Sequence, residues 1–114
     1  MGYYSGIDYA EFKISKKSIA RATLDDIDIL KLIDDECYLA YIDKETGDII
    51  HIDDKSGHVK HYQEMDNLWH PIAPYVEDGS WIIIQGEGRD YWKIVFSKGK
   101  AKQYMGRVTF DDEV

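Results

Sequence analysis

Four histidines, His51, His58, His61 and His70, and one cysteine, Cys37, are the residues whose types first suggest chemistry. The closest pair is His58 and His61. On a strand, residues three apart point to opposite faces, which is poor geometry for chelation. Zinc further requires three or four ligands and a supporting shell behind them. Asp48, Asp53 and Asp54 are possible carboxylate ligands, but they fall in turn-like stretches where Asp is expected for backbone reasons. No metal and no cofactor is therefore expected. Cys37 has Glu36 and Tyr38 as neighbours and no adjacent cation that would favour a thiolate, so it is read as a small buried hydrophobe. Gly86-Glu87-Gly88 lies between two strand-like runs and does not open a helix, so it lacks the helix N-terminus that phosphate loops use. With 22 acidic residues in the chain, some pair of carboxylates always looks suitable for acid–base work, and no catalytic assignment follows.

The acids are more informative as a group. The net charge is −8, unevenly distributed. Between Asp25 and Asp54 lie Asp25, Asp26, Asp28, Asp34, Asp35, Glu36, Asp43, Glu45, Asp48, Asp53 and Asp54 against two lysines. Between Arg89 and Arg107 there are six basic residues and one acid. An acidic total argues against direct, sequence-independent nucleic-acid binding, which depends on cations neutralising phosphates. It suits a partner with a basic surface, and the eleven acids are the expected contact residues, standing in solvent. Tyrosine and tryptophan are frequent and suit interfaces, with Tyr3, Tyr4, Tyr9, Tyr62 and Tyr104 as an exposed aromatic set.

These residues must be positioned by a framework, and its centre is Gly79 to Phe96. Ser80 to Gln85 and Tyr91 to Phe96 are two β-rich runs joined by a short loop bearing glycine, which predicts a hairpin. Trp92, Ile94 and Phe96 share one face of the second run. The first run is apolar on both faces, as a central strand should be. A third strand over Ala101 to Phe110 follows the turn Ser97-Lys98-Gly99-Lys100. Upstream, Tyr3 to Ile14 predicts a first strand with Ala10, Phe12 and Ile14 on one side. Ser15 caps a helix over Lys16 to Ala22. Thr23 reads as a second cap, with Asp25 and Asp26 in a first helical turn and Leu24, Ile27, Leu30 and Leu32 or Ile33 on its apolar face. One broken helix or two short ones fit equally. Cys37–Ile42 and Asp48–Ile52 form a second hairpin about a loop with Gly47 at positive φ. Asp53 to Gly57 is a turn, and His58 to Tyr62 is a short edge strand. Met65, Leu68, Trp69, Ile72 and Tyr75 mark a helix face that Pro71 and Pro74 disturb, so the helix ends near His70 or restarts at Pro71.

The opening Met1-Gly2-Tyr3-Tyr4-Ser5-Gly6 with Lys16-Lys17 resembles the start of small accessory proteins of phage and prophage genomes. Ile72 to Trp81, Asp90-Tyr91-Trp92-Lys93 and the Lys98-Gly99-Lys100 turn are similar to their C-terminal half. The resemblance implies a phage-associated protein with an anti-defence role of the anti-CRISPR kind.

At 114 residues, 1–114 is expected to be a single domain with its own core. The expected fold is α+β: an antiparallel sheet of five or six strands with one or two short helices packed on one face. One cysteine, no apolar leader and no long apolar run give the expectation of a cytoplasmic protein with no membrane contact. The function expected is non-enzymatic: inhibition of a basic, nucleic-acid-handling host defence protein by occupying its binding surface. The alternatives are an immunity protein neutralising a toxin and a small metal-dependent hydrolase.

Overall fold

The computed structural model of the chain describes residues 6–55, 64–86 and 90–107. The expected edge strand over His58–Tyr62, the start of the first strand at Tyr3 and the end of the last at Phe110 lie outside these residues, as do His58, His61, Tyr3, Tyr4 and Tyr62. The architecture is α+β, and every paired strand is antiparallel. Among the described residues six strands divide into a sheet of four, ordered β1-β4-β5-β6, and a hairpin of two, β2-β3. The strands are β1 (Gly6–Glu11), β2 (Tyr38–Ile42), β3 (Ile49–Asp54), β4 (Trp81–Gln85), β5 (Asp90–Ser97) and β6 (Lys100–Arg107).

β4 is central, between β1 and β5, as its two apolar faces require. Ile82 and Ile84 are fully buried on its inner face, and Trp92, Ile94 and Phe96 face the same way from β5. Lys98 and Gly99 have φ of 53° and 77°, so a two-residue turn with both central residues left-handed joins β5 to β6. That turn matches the right-handed twist of the strands on either side.

The first strand runs as regular sheet only to Glu11. Phe12 and Ile14 continue the inward alternation, but Ile14 pairs across to Ile49 of β3 as an isolated bridge. The chain thus leaves one sheet and stitches the hairpin to it.

Two short helices follow, α1 (Lys16–Leu24) and α2 (Ile29–Asp35). Ser15 caps α1, accepting from Ser18 N at 3.1 Å. The second cap is Asp28, not Thr23: its side chain accepts from Lys31 N. Asp25 is the C-cap of α1 and Asp26 sits at φ 63°, so neither belongs to a helical first turn. This break shifts the phase of the apolar face. Ile29 and Ile33 are buried, whereas Leu24 is 85% exposed and Leu30 42% exposed, against the expected face. Cys37 also departs from expectation. It is exposed at φ 66°, turning the chain from α2 into β2, with its carbonyl accepting from Lys55 N.

Residues 65–75 form one winding segment, α3, whose character changes along its length. A π-helical turn (Met65–Trp69) passes into an α-helical turn (His70–Ile72) and then a 3₁₀ turn (Ala73–Tyr75). Pro71 and Pro74 lie in the first positions of the second and third turns, where a missing N–H does least damage. The helix neither ends at His70 nor restarts; it changes pitch at each proline. Leu68, Trp69, Ile72 and Tyr75 still face inward. Trp69 is the hub, packing edge-on against Phe12 and Phe96 at ring separations of 6.4 and 6.1 Å and tilted against Tyr38 at 5.4 Å. Such ring pairs add to the area they bury.

Candidate functional site

The hairpin β2–β3 carries most of the acidic stretch and turns two different faces outward. Tyr38, Ile49 and Ile52 are inside. The cross-strand pairs Leu39–Asp53 and Tyr41–His51 stand on the other side. A register shift beside Ile50 adds an extra residue to β3, and Ile50 is exposed as well. Leu39 and Tyr41 are each 42% exposed and Ile50 48%, apolar side chains that burial within this chain does not explain, while Ile42, 48% exposed, is paired with buried Ile49 on the other side. The Tyr41 ring lies 5.5 Å from that of His51.

Around this patch the carboxylates are held by main-chain amides. Asp43 Oδ1 accepts from Glu45 N at 2.8 Å and Thr46 N at 3.4 Å, forming the turn that Gly47 completes at φ 80°. Asp48 Oδ1 accepts from Lys16 N at 2.7 Å, and its other oxygen lies 3.9 Å from Lys13 Nζ. Asp53 accepts from Asp54 N at 2.8 Å. Asp54 Oδ2 accepts from Ile7 N at 2.7 Å, tying β3 to β1, while its Oδ1 is buried without a hydrogen-bond partner. On α2, Asp35 pairs with Lys31 at 2.9 Å and Asp34 pairs with Lys55. Asp25 lies apart from this group, accepting from the Tyr75 hydroxyl at 2.6 Å beneath Arg21, whose guanidinium stacks 5.2 Å from the Tyr75 ring. Asp26 and Glu45 are exposed at turns, and Glu36 is half-buried as the C-cap of α2.

The eleven acids are therefore not one solvated sheet of charge. Asp43, Glu45, Asp48, Asp53 and Asp54 lie on or beside the hairpin, and Asp34, Asp35 and Glu36 lie on the neighbouring α2, which packs on β2. Asp25, Asp26 and Asp28 belong to the α1–α2 junction, where two of them have structural tasks. Among the described residues, no ion pair joins any of them to Lys93, Lys98, Lys100 or Lys102.

Beneath the hairpin lies a buried polar knot. Glu64 is 1% exposed and accepts from the Tyr38 hydroxyl at 2.8 and 2.9 Å and from Trp69 Nε1 at 3.2 Å. Burial, then the Glu64 charge, drives the Tyr38 hydroxyl far above the ordinary phenol range, so it stays protonated as a donor. Burial likewise raises the Asp54 carboxyl, with the charges of Asp53 and Glu64 adding to it and the Ile7 amide opposing. Glu36 is raised by burial first and by Glu64 and Asp35 after it. These carboxylates repel one another across the base of the hairpin.

Of the four histidines, His51 packs on Tyr41, and His70 is exposed on α3. Among the described residues, no three His, Cys, Asp or Glu side chains gather as a metal site. None of the helices described there is long and apolar enough to cross a membrane. The apolar hairpin face was missed by charge-based reasoning; the alternation of Leu39 and Tyr41 opposite Tyr38 and Ala40 was its signal. No family model, curated protein or solved structure matches the chain.

Proposed function

We propose that this chain is a non-enzymatic binding protein that engages a partner with a basic surface through the outward face of its β2–β3 hairpin. The observation that carries the reading is the exposed Leu39, Tyr41 and Ile50 with Asp43, Glu45 and Asp53 about them. An apolar centre with a polar rim is the anatomy of a protein interface. Amide-held carboxylates lose little freedom on binding, and this lowers the cost of association. Such a surface suits occlusion of a site that a basic protein otherwise offers to nucleic acid. The phage-type resemblance of the chain fits an inhibitor of host defence machinery acting in the host cytoplasm.

The experiment is affinity purification from host lysate at low and high salt, followed by calorimetry with the purified partner. Wild type is compared with Tyr41→Ala and with Asp53→Lys combined with Glu45→Lys. The reading expects one basic protein to be lost from both variants, with the charge reversals slowing association most at low salt. Equal affinity of all three proteins for every captured partner would overturn it.

A further inference from the structure

The outer face of the four-stranded sheet shows a different pattern. Tyr9 of β1, Ile83 of β4, Lys93 of β5 and Tyr104 of β6 are successive cross-strand partners, so they form one row across the sheet. The next row is Glu11, Trp81, Val95 and Lys102. Tyr9 is 65% exposed and Tyr104 54%. Lys93 Nζ lies 5.4 Å from the Trp81 ring centroid, a cation held over an aromatic face.

Two grooves meet at Tyr104. One, of about 420 Å³, is lined by Tyr9, Ile83, Tyr91, Lys93 and Tyr104, with Asp8 at its β1 end and the Trp92–Met105 pair, which belongs to the other face, also reaching it. The other, of about 540 Å³, is lined by Val95, Ser97, Lys98, Lys100 and Lys102 with Tyr104, and among the described residues no acid lines it. An apolar, ring-walled groove thus opens beside a lysine-lined one, with one tyrosine as the shared wall.

From this juxtaposition we infer that the outer face of the four-stranded sheet binds single-stranded nucleic acid. Bases stack on the exposed tyrosines and the phosphates pass over Lys98, Lys100 and Lys102. Stacking platforms combined with a cationic track are how proteins hold single strands without reading sequence. An acidic peptide needs only the lysines and leaves the rings without a role. A duplex has its bases already stacked and offers the rings nothing. Asp8 and Glu11 confine the phosphates to the β5–β6 side and leave the β1 side for a base.

The total charge of −8 does not oppose this. β3 lies beside β1, and β6 is three strand spacings further on, roughly 14 Å at about 4.8 Å each. That exceeds the screening length of about 10 Å at 0.1 M salt, so the hairpin acids are screened from this groove. Asp78, whose Oδ1 accepts from Lys98 N at 2.7 Å, is the nearer acid and offsets one of the lysine charges there.

The test is fluorescence anisotropy with labelled oligothymidylate, its duplex with oligoadenylate, and polyglutamate of matching charge, at low and moderate salt. Oligothymidylate is expected to bind, and to bind less tightly as salt rises. Lys100→Glu with Lys102→Glu should abolish binding. Tyr104→Ala should weaken it roughly tenfold while Tyr104→Phe keeps it. Lys44→Glu, in the exposed hairpin turn, should leave it unchanged. These side chains are exposed, and an unaltered melting temperature confirms that each variant is folded. No change in anisotropy with oligothymidylate, equal affinity for duplex or polyglutamate, or wild-type binding by Tyr104→Ala would each overturn the inference.

Discussion

The outward face of the hairpin and the outer face of the four-stranded sheet are built by the same rule and carry charge in opposite ways. Both arise because an antiparallel sheet covered on one side leaves every second residue facing water. On the hairpin the charges are short carboxylates anchored to main-chain N–H groups, as Asp43 is to Glu45 and Thr46. On the sheet they are lysines on long stems, with Lys93 over Trp81 and Lys98, Lys100 and Lys102 around a groove. Fixed charge suits one matched surface, whereas mobile charge suits a ligand whose phosphates vary in position.

Both faces rest on one core, and removing its hub should abolish the distinction. Trp69 is fully buried against Phe12, Tyr38 and Phe96. Trp69→Ala should cost about 3–5 kcal/mol in equilibrium denaturation. A loss below about 1 kcal/mol would mean that the aromatic cluster collapses around the gap and does not organise the two sheets.

A smaller change separates the two faces. Tyr38→Phe takes a donor from both oxygens of buried Glu64, a loss of about 1–3 kcal/mol. Tyr104→Phe, on an exposed side chain, should leave the midpoint unchanged. Parallel urea titrations make the comparison, and equal midpoints for the two variants would show that Glu64 finds another donor.

The anchoring of the acids can be tested away from any partner. Asp28→Ala removes the α2 cap and should cost about 1 kcal/mol, while Glu45→Ala at an exposed turn should be silent. If thermal denaturation shows the two alike, the amide-held acids do not differ from the merely solvated ones.

The smallest effect is one of pH. Asp54 holds its proton to higher pH in the folded state than the ordinary value of 3.8, because burial penalises its charge. The folded state therefore binds more protons than the unfolded chain in the range just above that value, and this group's contribution to stability falls as pH rises through it. Asp54→Asn stays neutral, keeps an oxygen to accept from Ile7 N and places a donor group where the other carboxylate oxygen was. Its stability relative to wild type should climb as pH rises above 3.8 and level off once Asp54 is ionised in both states. A constant difference across the series would place the cost of Asp54 in packing and not in charge.

Much of the framework was legible in the residues themselves. Alternation alone placed Trp92, Ile94 and Phe96 inward and made β4 central. Ser15 announced a cap, Gly47 announced a left-handed turn, and Lys98-Gly99 fell in a tight two-residue turn. These are local matters, decided within a few residues by steric preference and period. The second helix was misread because Thr23 reads as its cap, with Asp25 and Asp26 in its first turn, although Asp28 can cap equally well. Which of the two served was decided by the α1–α2 break, and that break is fixed by burial of Ile29 and Ile33. Cys37 was misjudged for the same reason. Composition makes it a core residue, but the turn out of α2 holds it outside at positive φ.

The sequence by itself determined an α+β chain with antiparallel strands, an acidic middle and a basic end, because propensity, period and charge are properties of the chain. Only the tertiary structure decided that the strands divide four and two, that Ile14 bridges to Ile49, and that Asp54 of the hairpin binds Ile7. It also brought Tyr9 from the start of the chain into line with Tyr104 near its end. Such pairings depend on register between strands far apart in sequence. Register follows from how the whole inner face packs, a sum over the entire core that no local stretch contains.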